Sequence, residues 1–243
     1  MLRYMICFNY DGSKFYGYQK QNSKITVQGK LEEILERINN HPTTVYSSGR
    51  TDRGVHANNA VAHFDLDNNI DSEKLRKAIN SFCKPYIYIK SIKLVSSSFH
   101  ARFDVKKKEY IYKINIGEYN PIKTDYIYQY NRNLSIKDMK KASSLFVGTK
   151  DFKSFTKTNN DISDYTRTIF KCSIKKKKNI VTIKLVGNGF LRYMVRNIVG
   201  VLLEVGEGKL TKYDINQIIL AKDRTKAKKT APAQGLYLNR VFY

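Results

Sequence analysis

The chain of 243 residues contains no tryptophan and three cysteines. Cys7, Cys83 and Cys172 lie far apart and form no CxxC pair, which argues against a disulfide framework and against a cysteine-based zinc site. Reduced thiols buried in the fold are the expectation. The four histidines are scattered and show no metal-ligand spacing. No apolar run approaches the roughly 20 residues that cross a bilayer. The start, Met1-Leu2-Arg3-Tyr4-Met5, lacks the long apolar core of a secretory signal and reads as a strand. A cytoplasmic protein without a membrane partner is therefore expected. No Pro/Gly/Ser-rich linker divides the chain. Acidic residues are scarce, with 21 Asp and Glu against 44 Lys and Arg, for a formal net charge of +23.

A field of that sign attracts polyanions and speeds their encounter. Nucleic acid is the leading partner, with phosphate contacts supplying most of the affinity. Lys175 to Lys178, just before an apolar strand pattern at Ile180, reads as a hairpin turn on a solvated face or as an RNA contact. There are 18 Tyr and 12 Phe. Aromatics among basic residues suit stacking on unpaired bases, although most sit in alternating strand patterns that belong in a core.

Hydrophobic content of 42% supports a packed interior for one large domain or two small ones sharing a core. Residues 2–10 alternate as a strand. Val27, Leu31, Ile34, Leu35 and Ile38 follow at helical spacing. Short strands are predicted at 43–48 and 60–66. A helix over about 72–82 takes Asp71 as N-cap, and a strand covers about 87–95. The order β-α-β-β-α-β is a split βαβ unit of the ferredoxin-like type. The second half gives a strand at 108–116, a helix at about 135–146 and strands near 167–173 and 180–186. A long helix at about 190–205, a shorter one at 212–221 and a last strand at 237–242 complete it. The fold class is α+β, with an N-terminal half over 1–100, a C-terminal half over 101–243, and the boundary within 96–107.

Ser48-Gly49-Arg50-Thr51-Asp52-Arg53-Gly54-Val55-His56-Ala57 places one carboxylate among two glycines and two arginines. The commoner reading of such a segment is an Asx-type turn between strands. The sharper reading is a carboxylate kept ionised by neighbouring guanidinium groups and held for nucleophilic attack. Other positions carry similar pairs of readings. Arg196 lies near the apolar side of the long helix and needs a partner there. Tyr110 and Tyr112 share one strand face, where a tyrosine is more often core.

The decade from Ser48 to Ala57 resembles the active-site motif of the tRNA pseudouridine synthase A family, whose members act as tRNA pseudouridine(38–40) synthases. Further segments follow in the family's order: Tyr10-Asp11-Gly12-Ser13 with Phe15, Gly17, Gln19 and Gln21, then Val27-Gln28-Gly29, Phe99-His100-Ala101-Arg102-Phe103 and Tyr110-Ile111-Tyr112. After them come Asp151-Phe152 with Ser154-Phe155, Thr166-Arg167-Thr168-Ile169, Gly189-Phe190-Leu191, Met194-Val195-Arg196-Asn197 and Thr230-Ala231-Pro232-Ala233 with Gly235-Leu236-Tyr237-Leu238. The series spans essentially the whole chain. Two departures stand out: Tyr18 replaces a usual Trp, and Arg192 follows Leu191 where Tyr is common.

The resemblance implies the pseudouridine synthase fold, two ferredoxin-like βαββαβ halves joined into a central, mostly antiparallel sheet flanked by helices, with an active-site cleft between the halves. It implies isomerisation of uridine to pseudouridine at positions 38, 39 and 40 of the tRNA anticodon stem-loop by a homodimer, with base flipping and no cofactor. Asp52 is then the nucleophile. Tyr110 stacks on the flipped uracil, and its hydroxyl is a candidate general base. Arg196 pairs with Asp52, and Arg50 assists flipping or braces the loop. Arg53 and His56 are candidate substrate contacts, with loop bracing an equal reading for His56. Three competitors remain at this level. They are a paralogue with another RNA target, a basic RNA-binding or tRNA-folding protein, and a glycoside hydrolase, which would need a second positioned carboxylate.

Overall fold

The computed structural model describes residues 1–157 and 163–243. In chain order its elements are β1 (Leu2–Tyr10), α1 (Val27–Asn39), β2 (Tyr46–Ser47), β3 (His56–Leu66), α2 (Ser72–Cys83), β4 (Ile87–Val95), β5 (Lys107–Asn115), β6 (Tyr128–Gln129), α3 (Ile136–Ser143), β7 (Gly148–Asp151), β8 (Thr166–Lys177), β9 (Ile180–Gly187), α4 (Met194–Gly206), α5 (Lys212–Ala221) and β10 (Leu236–Phe242). The class is α+β. Two compact units form, Met1–Lys106 with Tyr237–Tyr243, and Lys107–Leu236. The last strand thus returns to the first unit.

In the first unit β1 buries Tyr4, Ile6, Phe8 and Tyr10, every second residue, as its pattern requires. It pairs antiparallel with β3, Leu2 opposite Leu66, and with β4, Arg3 opposite Val95. The other edge of β3 takes β2 along Ala62–His63 and, in parallel, β10 along His56–Ala57. The order β4-β1-β3-β2 is that of the split βαβ unit. The α2 N-cap is Asp71, whose carboxylate accepts from the backbone N–H of Glu73 and Lys74 at 3.1 and 2.9 Å. The predicted strand at 43–48 shrinks to two residues and β3 begins four residues earlier than expected. The segment 48–55 is thereby left as a loop, with His56 already in strand.

In the second unit β5, β9, β8 and β7 pair antiparallel in that order, and β6 adds to β5 in parallel. The β8–β9 register runs to Lys177 opposite Ile180, so only Lys178 and Asn179 turn, with Lys178 at φ +52°. Three of the four lysines expected in a turn extend the strand instead. The long helix starts at Met194 rather than 190, because Tyr193 adopts the left-handed conformation at φ +63° and cannot continue it. Buried residues occupy nearly every face of α4. Cys83 and Cys172 are buried and Cys7 is half-buried. Among the described residues, no helix is long and apolar enough to cross a membrane.

Candidate active site

Asp52 sits in the loop between β2 and β3, half-buried. The Val55 N–H donates to the Asp52 carbonyl at 3.1 Å, closing a turn with Gly54 at φ +79° in its third position. A positive φ there favours glycine, as in a type II turn. The rest of the loop is held from the segment after β1. Tyr18 N–H donates to Thr51 O at 3.1 Å, and the hydroxyls of Tyr10 and Thr51 lie 2.8 Å apart. Gly17, at φ +95°, presents its backbone so closely that a Cβ there would lie 3.1 Å from Thr51 O, 3.3 Å from Arg53 N and 3.5 Å from the Asp52 carbonyl carbon. Gly12 is tighter still, since its Cβ would lie 2.0 Å from Val55 O. The two glycines of the first motif therefore serve as backbone-to-backbone contacts clamping both ends of the Asp52 turn.

The clamp is anchored in turn on α1. The first turn of a helix leaves N–H groups without helical partners; here Val27 and Gln28 donate theirs to Gly17 O and Tyr18 O at 3.3 and 2.9 Å. Gln28 Oε1 accepts from Lys20 N–H at 3.1 Å. Glu32, almost wholly buried, accepts at Oε1 from Gln28 Nε2 at 2.9 Å and from Val45 N–H at 3.1 Å. Val27-Gln28-Gly29 is thus a connector between the segment under the loop and the strand that leads into it.

His56 is 2% exposed. The Gly12 N–H lies 3.1 Å from its Nδ1, and Asp11 Oδ1 lies 3.3 Å from the same nitrogen. Its ring stacks on Tyr237 with centroids 4.7 Å apart. Bracing of the loop is what these contacts do. Arg50 is exposed. Arg53 is exposed and lies over the Tyr16 ring, with Cζ 4.2 Å from the centroid. The segment 99–103 is tied to β3, where His63 Nδ1 accepts the Ala101 N–H at 3.1 Å. Burial, with Arg3 and His100 nearby, lowers the His63 pKa to about 4, which keeps it a neutral acceptor.

In the second unit Tyr110 is 8% exposed on β5, and its ring meets the Phe190 ring edge-on at 5.1 Å. Tyr112 is fully buried and donates its hydroxyl to Pro232 O at 2.7 Å, in keeping with a core role. Gly235 lies flat on that ring, where a Cβ would come 2.7 Å from Cζ.

Arg196 occupies the first turn of α4. Its Nε donates to Ala231 O at 2.8 Å, and Ala231 N–H donates back to Arg196 O at 3.0 Å. Its guanidinium lies over the Tyr193 ring at 5.2 Å, and that of Arg192 lies 5.1 Å from the same centroid. Next to it Asn197 is fully buried. Asn197 Nδ2 donates to Phe155 O at 2.6 Å, while Oδ1 accepts from Thr230 Oγ1 at 2.7 Å and from Arg224 Nη2 at 3.1 Å. Arg224 also donates to Thr230 Oγ1 at 2.7 Å and to Ala227 O, and burial lowers its pKa. Gly200 admits the same strap, since a Cβ there would lie 1.9 Å from Lys229 O. Lys229 closes it further along, with Nζ 2.6 Å from Glu207 Oε1. Within the basic segment 222–229, Arg224 and Lys229 hold the strap, Lys222 lies 3.2 Å from Asp151, and Lys226 and Lys228 are exposed.

Sequence reasoning put Arg50, Asp52, Arg53 and His56 in one loop; the structure keeps the first three there and places His56 at the start of β3, while Tyr110 and Arg196 fall on separate elements of the second unit. It gave no role to Gly12, Gly17, Asn197 or Thr230. Their signal was present as unexplained motif positions: glycines with no turn of their own, and a Thr-Ala-Pro-Ala segment flanking a strand.

Set against known proteins, the chain matches the family model described as tRNA pseudouridine synthase over residues 6–104 and 142–243. It is 43% identical to a protein of Limosilactobacillus reuteri over 249 residues, covering 100% of this chain and 97% of that one. With a protein of Anoxybacillus flavithermus it shares 43% identity, with 100% and 99% covered. A Geobacillus relative is 44% identical, with 97% and 96% covered. Each of the three is named tRNA pseudouridine synthase A.

Proposed function

We propose a reaction and its residues for this chain, which belongs to the tRNA pseudouridine synthase family: it converts uridine to pseudouridine in tRNA. The reaction breaks the N1–C1′ bond of the nucleotide, joins C5 of the same uracil to C1′, and exchanges protons with solvent: C5 gives one up and N1 takes one up. Atoms and electrons balance within the substrate, so no redox partner enters. The target lies at positions 38, 39 and 40 of the anticodon stem-loop, the enzyme works in the cytoplasm, and it acts as a homodimer.

Asp52 is the nucleophile. The observation that carries this reading is the clamp on its loop: Gly12, Gly17, Tyr18 and Tyr10 fix the backbone on both sides of one carboxylate, which stays half-exposed. Such fixation suits a carboxylate that must be presented in one position. Arg196, oriented by Ala231 O, supplies the positive charge that keeps the nucleophile ionised. Tyr110 stacks on the flipped uracil, with its hydroxyl as general base, and Arg50 occupies the space the base vacates. Flipping costs a few kcal/mol, offset by phosphate contacts. Arg53 meets the RNA backbone, and His56 braces the loop that carries the reaction.

Tritium release from tRNA labelled at uridine C5 tests the assignment. Asp52→Ala abolishes release and leaves tRNA binding nearly intact, because phosphates supply the affinity. Tyr110→Phe keeps stacking and loses more turnover than affinity. Release by a purified Asp52→Ala protein free of host enzyme refutes the nucleophile. Wild-type turnover in Tyr110→Phe refutes the base.

A further inference from the structure

We propose that Tyr16, Lys24 and Arg53 form a phosphate clamp for the RNA backbone, placed one residue from Asp52. Two cations share one ring. Arg53 Cζ lies 4.2 Å and Lys24 Nζ 4.8 Å from the Tyr16 centroid. All three side chains are exposed, Tyr16 to 41%. Among the described residues neither cation has a carboxylate within ion-pair distance, whereas Lys20 and Lys30 nearby are paired with Glu32 and Glu33. The two centroid distances put the cations no more than about 9 Å apart, a span that one phosphate can bridge, and an anion there would relieve their mutual repulsion. The ring holds each by cation–π attraction without neutralising either. A phosphodiester oxygen pair answers that geometry, since guanidinium and ammonium donate charge-assisted hydrogen bonds to separate oxygens of one phosphate.

The ring itself is held in place. Tyr16 N–H donates to Ile25 O at 2.8 Å, and Tyr16 O accepts from Gln21 Nε2 at 3.0 Å. The next residue, Gly17, is the one whose backbone packs on Asp52 and Arg53. Arg53 follows the nucleophile directly. The clamp is therefore fixed to the catalytic loop from both sides, and the phosphate it takes is one flanking the target uridine. This rests on the reading of Asp52 as the reacting carboxylate on tRNA.

The test uses an unmodified tRNA transcript as probe and measures Kd across a KCl series without turnover. Arg53→Gln and Lys24→Gln each weaken binding about 3- to 10-fold. The double variant weakens it by less than the product of the two, because both serve one phosphate. The slope of log K against log salt falls by about 0.7 to 0.9 in the double variant, the loss of one phosphate contact. Tyr16→Leu weakens the wild type and has no effect in the Arg53→Gln/Lys24→Gln background. In turnover the effect falls on KM. A transcript with methylphosphonates flanking the target uridine binds wild type and double variant alike. An unchanged Kd and slope in the double variant overturns the clamp, as does a Tyr16→Leu effect of equal size in both backgrounds. A wild type that binds tRNA but releases no tritium refutes the reaction and leaves the clamp standing, so the two failures are distinct.

Discussion

Asn197→Ala tests whether the strap over α4 sets the geometry of Arg196. Asn197 is fully buried and uses both ends of its amide, giving one hydrogen bond to Phe155 O and taking two from Thr230 and Arg224. Truncation leaves a buried carbonyl without its donor and removes one acceptor from a partly buried guanidinium. An orphaned buried polar group costs about 1–3 kcal/mol, and a small cavity adds about 1 kcal/mol. The sum is about 2–4 kcal/mol. For a chain of this size each kcal/mol moves Tm by roughly 2–4 °C, so the expected drop is about 4–16 °C in a calorimetric or circular-dichroism melt. Turnover has its own response. Thr230 precedes Ala231, whose carbonyl orients Arg196 Nε; a loosened strap lets the guanidinium drift. At a temperature where the variant is fully folded, kcat for tritium release falls about tenfold or more. Thr230→Val breaks the same junction, so the double variant loses less than the sum of the singles. A Tm drop under about 2 °C, or losses that simply add, refutes the junction. A full Tm drop with wild-type kcat refutes its link to Arg196.

Two further outcomes follow from other parts of the frame. Gly12→Ala puts a methyl 2.0 Å from Val55 O, a backbone atom that no rotamer change relieves; it destabilises by about 1–3 kcal/mol and lowers turnover more than that loss explains, and wild-type tritium release in this variant removes Gly12 from the clamp. Burial raises the pKa of Glu207, but the ammonium groups of Lys209 and Lys229 and the Tyr130 hydroxyl outweigh it and hold the carboxyl near 2, against 4.5 for an ordinary glutamate. A depressed carboxyl stabilises the fold above the unfolded pKa and loses that contribution as pH falls from about 4.5 toward 2. Because Lys209 is largely in solvent, about 1–2 kcal/mol is expected. Glu207→Gln should flatten that acid limb of a Tm-against-pH curve, and an unchanged limb refutes the assignment.

The elements with strong periodicity were legible in the sequence. β1, α1, α2, β4 and α5 fall within a residue or so of expectation, since each buries one face at its own period and the helices carry side-chain caps. Misplaced boundaries have local causes. Tyr193 takes a left-handed conformation that no composition rule assigns to tyrosine, and it delays α4. The lysines of β8 resemble a turn by charge alone, yet a solvent-facing strand edge tolerates them. Among site residues, Asp52 and its neighbours announced themselves by local chemistry. Gly12, Asn197 and Arg224 did not, because their work is done on residues 27 to 44 positions away, and separation of that kind leaves no mark on a single sequence.

Those distant partners explain why the chain carries so many short motifs for one carboxylate. In the role proposed for Asp52 a carboxylate needs a fixed backbone, and a loop of two glycines cannot fix itself. Here the fixation comes from outside: Gly12 and Gly17 press their backbones on the turn, α1 seats the segment that bears them through Val27 and Gln28, and Glu32 ties α1 back to Val45 at the head of the same loop. The path closes on itself, so each motif is needed for the next to bear on Asp52. The second unit follows the same logic around a cation, where Gly200 admits the strap, Asn197 and Arg224 fasten it, and Ala231 holds Arg196. In both frames the holding is done by glycine backbones and a buried amide. Substitutions there should cost activity through position, with affinity for RNA left to the exposed cations.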